Sequence, residues 1–450
     1  VKSVTPLLRL SAGVLVGQLA IIGFGVADTV MLGRYSSTAS LATLSLGQAI
    51  YITLYVALSG VTQALLPTLG RAHGGALPQQ VGSAFRQGLW LAAGLCLVGM
   101  VVLLWPGPLL SLTGQSHDPA VDRYLQILAL GLPAALLFRV HTALSQAIAK
   151  PLLVTLLQLG GLVLKLALNA VFLLPTSFGL HALPALGATG CAMATVITQW
   201  LLLGIAMLQH HLSAVLRPFE ALRHWEWPAW SQQGPLLRLG APIGLSLLVE
   251  VSAFTLMALF IARLGNTELA GHQIAANFAT VLYMLPLSVS IAAGSLVAQQ
   301  LGAGHDAAAR HAAWGGVGVA ALLSSSLGLL VWLDRAHIIA WYTPDVAVQA
   351  VAYHLFLFIA IYQLFDAVQA CAAFVLRSYH IALLPSALYA FALWGVGLGG
   401  GYALAFNTPG FSPPALQGAA GFWMGNTAGL ALVALSFALL LWRAARRPVT

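Results

Sequence analysis

Twelve apolar stretches, with charge pushed into the short intervals between them, constrain this chain of 450 residues more than any other feature. They fall at roughly 10–32, 44–68, 84–105, 122–146, 152–174, 185–208, 236–263, 270–298, 311–333, 347–375, 382–404 and 420–442. Each is about 20 residues or longer, enough helix to cross a hydrocarbon core of about 30 Å. Lipid offers no water to backbone N–H and C=O groups, so a spanning segment must satisfy them internally, as a helix does. The stretches are continuous rather than alternating, which argues against a β-barrel. Charged residues make up 7% of the chain, against about 25% in soluble domains, too few to cover a water-facing surface of this size. The first stretch follows the basic residues Lys2 and Arg9, is longer than a signal-peptide core and ends at no clear cleavage site, so it is expected to be retained as a span.

The longest polar break, 209–235, divides the stretches six and six. The expected organisation is an N-terminal six-helix lobe at 1–208, a cytoplasmic linker at 209–235 and a C-terminal six-helix lobe at 236–450. With the N-terminus placed in the cytoplasm, the cytoplasmic segments hold Lys2, Arg9, Arg71, Arg86, Lys150, Arg217, Arg223, Arg238, Arg310, Arg377, Arg443, Arg446 and Arg447. The outer segments hold only Arg34, Arg123, Arg263 and Arg335. This bias satisfies the positive-inside rule and puts both termini in the cytoplasm. It also accounts for the net charge of +8 without a nucleic-acid partner. The halves carry traces of a repeat. Leu41-Ala42 matches Leu269-Ala270, Leu54-Tyr55 matches Leu282-Tyr283, and Gly74 matches Gly302 at one offset, with Tyr124 on Tyr353 one residue further. The expected fold is therefore all-α, with 12 transmembrane helices in two six-helix lobes related by a parallel pseudo-two-fold repeat, an architecture suited to alternating access.

Several apparent signals carry no chemistry. Cys96, Cys191 and Cys371 are scattered within apolar spans without CxxC spacing and read as small core residues. No metal-ligand spacing appears among the 13 histidines, and His210 and His211 are read as loop residues without partners. The glycine-rich run 395–401 imitates a nucleotide-binding loop, but no strand precedes it and it lies within a span, so close packing or a bend is expected. There is no Walker motif and no nucleophile elbow, and no cofactor is expected beyond a coupling ion. Trp105, Trp225, Trp227 and Trp442 suit the membrane interface.

Three acids lie within spans: Asp28, Glu250 and Asp366. A charge at the bilayer centre costs about 2.5–3.5 kcal/mol even on lenient scales, so such residues face protein or water and are ion sites by default. Glu250 follows Gly240, Pro242 and Gly244, which predict a loosened backbone lining a cavity. Gln363 and Asp366 share a helical face with Ala370 and Ala373. Gln273, Asn277 and Thr280 form a second polar stripe with Tyr283 close by. Two carboxylates in a poorly hydrated site need a counter-charge, which a proton, Na⁺ or an organic cation can supply; Glu250 and Asp366 are the expected Na⁺ ligands if sodium is the ion. In the first half, Lys165 and Asn169 are spaced i, i+4 and Thr195 lies in the next span. Lys165 needs a partner, and Asp28 is the obvious one, whether as a fixed pair or as a protonation switch. Arg139 either snorkels or lines the cleft.

The segments VADTVMLGR (26–34), GAPIGLSLLVEVSAF (240–254), LAGHQIAANFATVLYMLPLSVSIAAG (269–294) and IYQLFDAVQACAAFVLRSY (361–379) resemble the multidrug and toxic compound extrusion family, in its NorM-like branch. The likeness extends over nearly the whole chain. It implies a V-shaped pair of lobes and export of cationic drugs driven by Na⁺ or H⁺. By that resemblance Glu250 and Asp366 are the second-lobe cation site, with Gln273 and Tyr283 nearby, and Asp28, Asn169 and Thr195 are the first-lobe polar cluster. The chain departs from the family in carrying Lys165 where that cluster commonly has a first Asn, and a fixed ammonium competes with Na⁺ for Asp28.

The expected function is thus a secondary active exporter, not an enzyme, in a bacterial-type inner membrane. Its expected partners are small organic cations or drugs and membrane lipid, and the expected state is a monomer. The alternative is a flippase for a lipid-linked precursor, toward which Lys165 and Arg139 lean and against which Glu250 and Asp366 lean. A lipid-directed membrane enzyme would need a catalytic His, Ser or metal cluster at the interface, and the sequence shows none.

Overall fold

A computed structural model describes residues 4–108, 118–179, 185–408, 410 and 412–446. Lys2 and Arg447, counted above among the cytoplasmic charges, lie outside the described residues. The first half contains α1 (Val4–Tyr35), α2 (Thr38–Thr62), α3 (Leu65–Gly74), α4 (Pro78–Leu104), α5 (Pro119–Ala147), α6 (Leu152–Leu173) and α7 (Gly187–Leu212). The second contains α8 (Trp230–Ala262), α9 (Asn266–Gly302), α10 (Asp306–Leu333), α11 (Arg335–Tyr342), α12 (Val346–Ser378), α13 (Leu383–Ala390), a π-helical stretch (Phe391–Gly400), α14 (Gly401–Ala405) and α15 (Ala419–Ala444). Among the described residues there is no strand. Among the described residues, twelve spans are long and apolar enough to cross a membrane, α2 and α3 together forming one (Thr38–Gly74) and residues Leu383–Ala405 another. The protein is a multi-pass, all-α membrane protein.

Helix starts follow local chemistry. Ser37 and Asp345 cap α2 and α12 by accepting from Ser40 N at 3.2 Å and Ala347 N at 2.9 Å, and Asp118 does the same for α5, ahead of Pro119. Such caps satisfy donors that the first turn leaves free, and a proline at the first helical position loses nothing. Inside the spans, hydroxyls turn back on their own helix: Thr142 donates to Phe138 O, Thr427 to Trp423 O, and Ser290 to Pro286 O. In lipid this is the cheapest way to satisfy a buried hydroxyl.

The described chain forms two compact units, one spanning Val16–Gly240 and the other comprising Ala241 onward together with the first turns of α1. In the first unit α5 is the central helix, with Leu125, Leu132 and Leu136 buried, and it packs on α2, α4 and α7. In the other, α12 is central, packed on α9, α10 and α15. Lipid is as apolar as leucine, so helices associate through close packing of small residues rather than hydrophobic burial. The glycine run behaves that way. A methyl group added at Gly425 would lie 2.6 Å from Gly397 O, so the π-helical stretch meets α15 backbone to backbone.

The polar segment after α7 is folded onto α4. Arg86 pairs with Glu226 at 2.7 Å and donates to Glu220 O at 3.0 Å. Gln87 donates to Trp227 O and accepts from Ala229 N, and Trp90 donates to Glu226 O. The Arg86 hydrogen bond holds the Glu226 carboxyl below its ordinary value, helped by Ser83. The structure departs from the sequence expectation at two places. First, α7 runs through to Leu212, so His210 is a buried helix residue, not a loop residue. Its Nε2 lies 3.2 Å from His141 Nδ1 on α5, and its ring packs 4.6 Å from Phe85. Second, α8 is continuous through Gly240, Pro242 and Gly244 rather than loosened. There a methyl at Gly240 would lie 2.3 Å from Val61 O, so this glycine permits close approach.

Candidate functional site: buried ionisable clusters in each half

In the first half, α1 supplies Asp28, α6 supplies Lys165 and Asn169 one turn apart, and α7 supplies Thr195. The structure brings all four together. Lys165 Nζ donates to Asp28 Oδ2 at 2.8 Å and to Thr195 Oγ1 at 2.5 Å. Asn169 Nδ2 donates to Asp28 Oδ1 at 2.8 Å, so both carboxylate oxygens are engaged. Thr195 passes its own proton to Cys191 O at 2.9 Å, which turns a lone pair toward the ammonium. The Phe24 ring, one turn before Asp28, lies 5.7 Å from Nζ. Lys165 is only 1% exposed and Asn169 is fully buried. Asn169 Oδ1 is left without a hydrogen-bond partner.

The second half differs. Glu250 lies on α8 and Asp366 on α12, and the two carboxylates are within electrostatic reach of each other. Tyr389 on α13 and the Arg377 guanidinium are both within electrostatic reach of Glu250. Tyr283 is within reach of both carboxylates, as is the buried Tyr362. Gln363, which shares a helical face with Asp366, is 1% exposed, and neither its Nε2 nor its Oε1 has a partner. Trp394 in the π-helical stretch donates to Val249 O at 3.3 Å, next to Glu250. Gln273, by contrast, is an exposed residue of α9, as are Asn277 and Thr280. The neighbour that turns inward is His272, whose Nδ1 accepts from Trp423 Nε1 at 3.3 Å.

Sequence reasoning missed Tyr389 and Arg377. Arg377 occupies the last turn of α12 with its guanidinium 4.5 Å from the Phe374 ring. Tyr389 is one aromatic among many in apolar spans and carries no pattern of its own. Among the described residues no group of three His, Cys, Asp or Glu could hold a metal ion. The chemistry on offer is that of hard oxygens and paired charge, suited to protons, alkali cations or organic ammonium groups.

Comparison with known proteins agrees in kind. The family model MatE matches residues 14–171 and 242–403. A probable multidrug resistance protein NorM of Aromatoleum aromaticum is 40% identical over 439 residues, covering 97% of this chain and 93% of that protein. Multidrug resistance protein PmpM of Pseudomonas aeruginosa is 35% identical over 450 residues, covering 98% and 91%. Among solved structures, the eukaryotic MATE transporter AtDTX14 superposes with a TM-score of 0.86 at 20% identity, covering 99% of this chain and 98% of that one. An outward-facing multidrug resistance MATE transporter of the MOP superfamily gives 0.86 at 16% identity, covering 98% and 96%. With the spans, the buried acids and these matches in agreement, the chain belongs to the multidrug and toxic compound extrusion (MatE) family of carriers, in its NorM-like branch.

Proposed function

We propose that this protein is a multidrug exporter that exchanges small cationic or amphipathic organic molecules for H⁺ or Na⁺ by alternating access. The observation that carries this reading is the pair Glu250 and Asp366, two acids within reach of each other inside membrane spans. Two carboxylates held that close in a medium of low dielectric need a counter-charge, and several cations can provide one. If a proton or Na⁺ and an organic cation compete for the same pair, binding of one displaces the other, and exchange needs no separate coupling device. Gln363 adds a donor and an acceptor beside Asp366 with no protein partner to hold them, as a site built for a transient guest would. The names of the relatives, as multidrug resistance proteins, support the substrate class. We place the protein in a bacterial-type inner membrane as a monomer, and the distribution of Lys and Arg supports placing both termini in the cytoplasm.

The test is ethidium efflux from proteoliposomes under separately imposed Na⁺ and pH gradients. Efflux driven by one gradient and lost in Glu250→Gln and Asp366→Asn names the ion and confirms the pair. Absence of efflux under both gradients, with reconstitution verified, rejects the proposal and moves attention to translocation of a lipid-linked precursor.

A further inference from the structure

The first-half cluster holds more ligand than an ion pair needs. An ammonium has three donors, and Lys165 places two of them on Asp28 Oδ2 and Thr195 Oγ1. Oxygens from α1 and α7 thus converge on a nitrogen that arrives from α6. A further acceptor stands by. Asn169 must direct its NH₂ to Asp28, because only a donor can bond a carboxylate oxygen, and this fixes its Oδ1 as a buried acceptor with no partner. One turn beyond Thr195, the hydroxyl of Thr198 is likewise buried without a partner. A buried polar atom left unsatisfied carries a desolvation cost and calls for an explanation. A carboxylate and a hydroxyl that meet on one nitrogen, beside an amide that grips the same carboxylate and keeps a spare buried oxygen, are groups able to line a site for a small cation. The chain has put its own ammonium there.

We infer that Lys165 is a tethered cation: its ammonium permanently fills a monovalent-cation site built by Asp28, Asn169 and Thr195, so that the first half takes up no exchangeable ion. The charge count agrees. Asp28 and Lys165 cancel, the ammonium cannot diffuse away, and both partners are almost wholly excluded from solvent. An ion or a substrate amine arriving at Asp28 would have to displace a group bonded covalently to the backbone. A tethered group competes intramolecularly, at an effective concentration that a free competitor must match to displace it. Exchange is then left to the acids of the second half. The inference concerns occupancy of one site and stands whether or not the transport reading does, because its test is binding rather than flux.

Truncation of Lys165 to Ala removes the tether and leaves the oxygens, and the vacated space matches a small primary ammonium. The full-length protein is purified in detergent with Lys165→Ala beside wild type. Each thermal unfolding midpoint is then compared in methylammonium chloride and in choline chloride of equal ionic strength, choline being too bulky to enter. A ligand that binds only the folded state raises its midpoint by mass action. The expected result is that Lys165→Ala gains a methylammonium-dependent rise larger than any seen in wild type, and that the gain disappears in the double variant Asp28→Asn/Lys165→Ala. A rise no larger than wild type overturns the inference, as does one that survives in the double variant or a Lys165→Ala protein that folds in neither salt. A second comparison uses variants that keep the volume. A Lys165 ammonium stranded without its acid makes Asp28→Asn less stable than Asp28→Asn/Lys165→Met, which carries no unpaired ammonium. Equal stability of those two proteins also overturns the inference.

Discussion

In the first half one carboxylate, Asp28, meets one ammonium, Lys165, at 2.8 Å, and both oxygens of the acid are taken. In the second half two carboxylates, Glu250 and Asp366, stand within reach of each other, with the guanidinium of Arg377 in reach of Glu250. The formal charges sum to zero in one cluster and to −1 in the other. Both halves carry the same number of spans, and the same lipid surrounds them, so the difference lies in a few side chains. A neutral, fully bonded cluster has little to offer a mobile cation. A cluster with an uncancelled acid and a glutamine whose amide has no partner has a use for one. The comparison teaches that an acid within a span marks a potential ion site, and that the neighbouring charges decide whether the site is open.

The sharpest way to break this comparison is to unbalance the closed cluster. Asp28→Asn strands a buried ammonium, and loss of one partner of a buried pair costs about 3–5 kcal/mol. Denaturation of the purified protein should show a loss of that order, and a loss under about 1 kcal/mol would mean that Lys165 escapes to solvent or gives up its proton. The open cluster should behave in the opposite sense. Glu250→Gln or Asp366→Asn should lower gradient-driven ethidium efflux at least about tenfold, which corresponds to about 1.4 kcal/mol, and Asp366→Asn, which strands no cation, should leave the unfolding midpoint level or raise it because a like-charge pair has been relieved. A fall in both efflux and midpoint in Asp366→Asn would mean that this acid is structural, and the contrast between the halves would collapse. Next in size is packing. Gly425→Ala forces a methyl against Gly397 O and should cost about 1–3 kcal/mol, measured as a lower midpoint, and a neutral result would show that α15 can slide along the π-helical stretch. The smallest effect is expected at the connector. Glu226 has its carboxyl held below the ordinary value by Arg86, so the pair contributes stability above the unfolded-state value of Glu and loses it as pH falls through the lower folded-state value. The side chain is 35% exposed, and Glu226→Gln should therefore cost no more than about 1 kcal/mol at pH 7. That difference should vanish when unfolding is repeated in strong acid.

Much of the fold was legible because lipid leaves few options. A long apolar run must be a helix, and twelve of them can be counted. The partner of Lys165 was legible for the same reason: a lone ammonium in a span needs an acid, and Asp28 is the one in-span acid of that half. Less was legible wherever the answer depends on how helices rotate against each other. Gln273 belongs to a polar stripe that α9 leaves exposed, while the neighbouring His272 is buried against Trp423. His210 was lost because its span ends four residues later than composition suggested, which buries it against His141. Gly240 and Pro242 carry the composition of a break, but the helix stays whole and the glycine serves a close contact with Val61. Tyr389 and Arg377 lie near the ends of helices adjacent in the chain, and no spacing rule links either of them to Glu250.

The clasp of the connector on α4 has a consequence for how the protein is made. Arg86, Gln87 and Trp90 find their partners among residues 220–233. A nascent chain that has inserted six spans therefore still has open bonds on its third. They close only when the chain has grown past the sixth span, which ends at Leu212, as far as Gln233, and at the usual speed of synthesis the wait is a matter of seconds. Until then Arg86, Gln87 and Trp90 of α4 lack the partners they have in the finished fold. A split gene that separates the halves should accordingly be cut after the clasp, because a fragment ending at residue 208 leaves the ribosome without its own fastening.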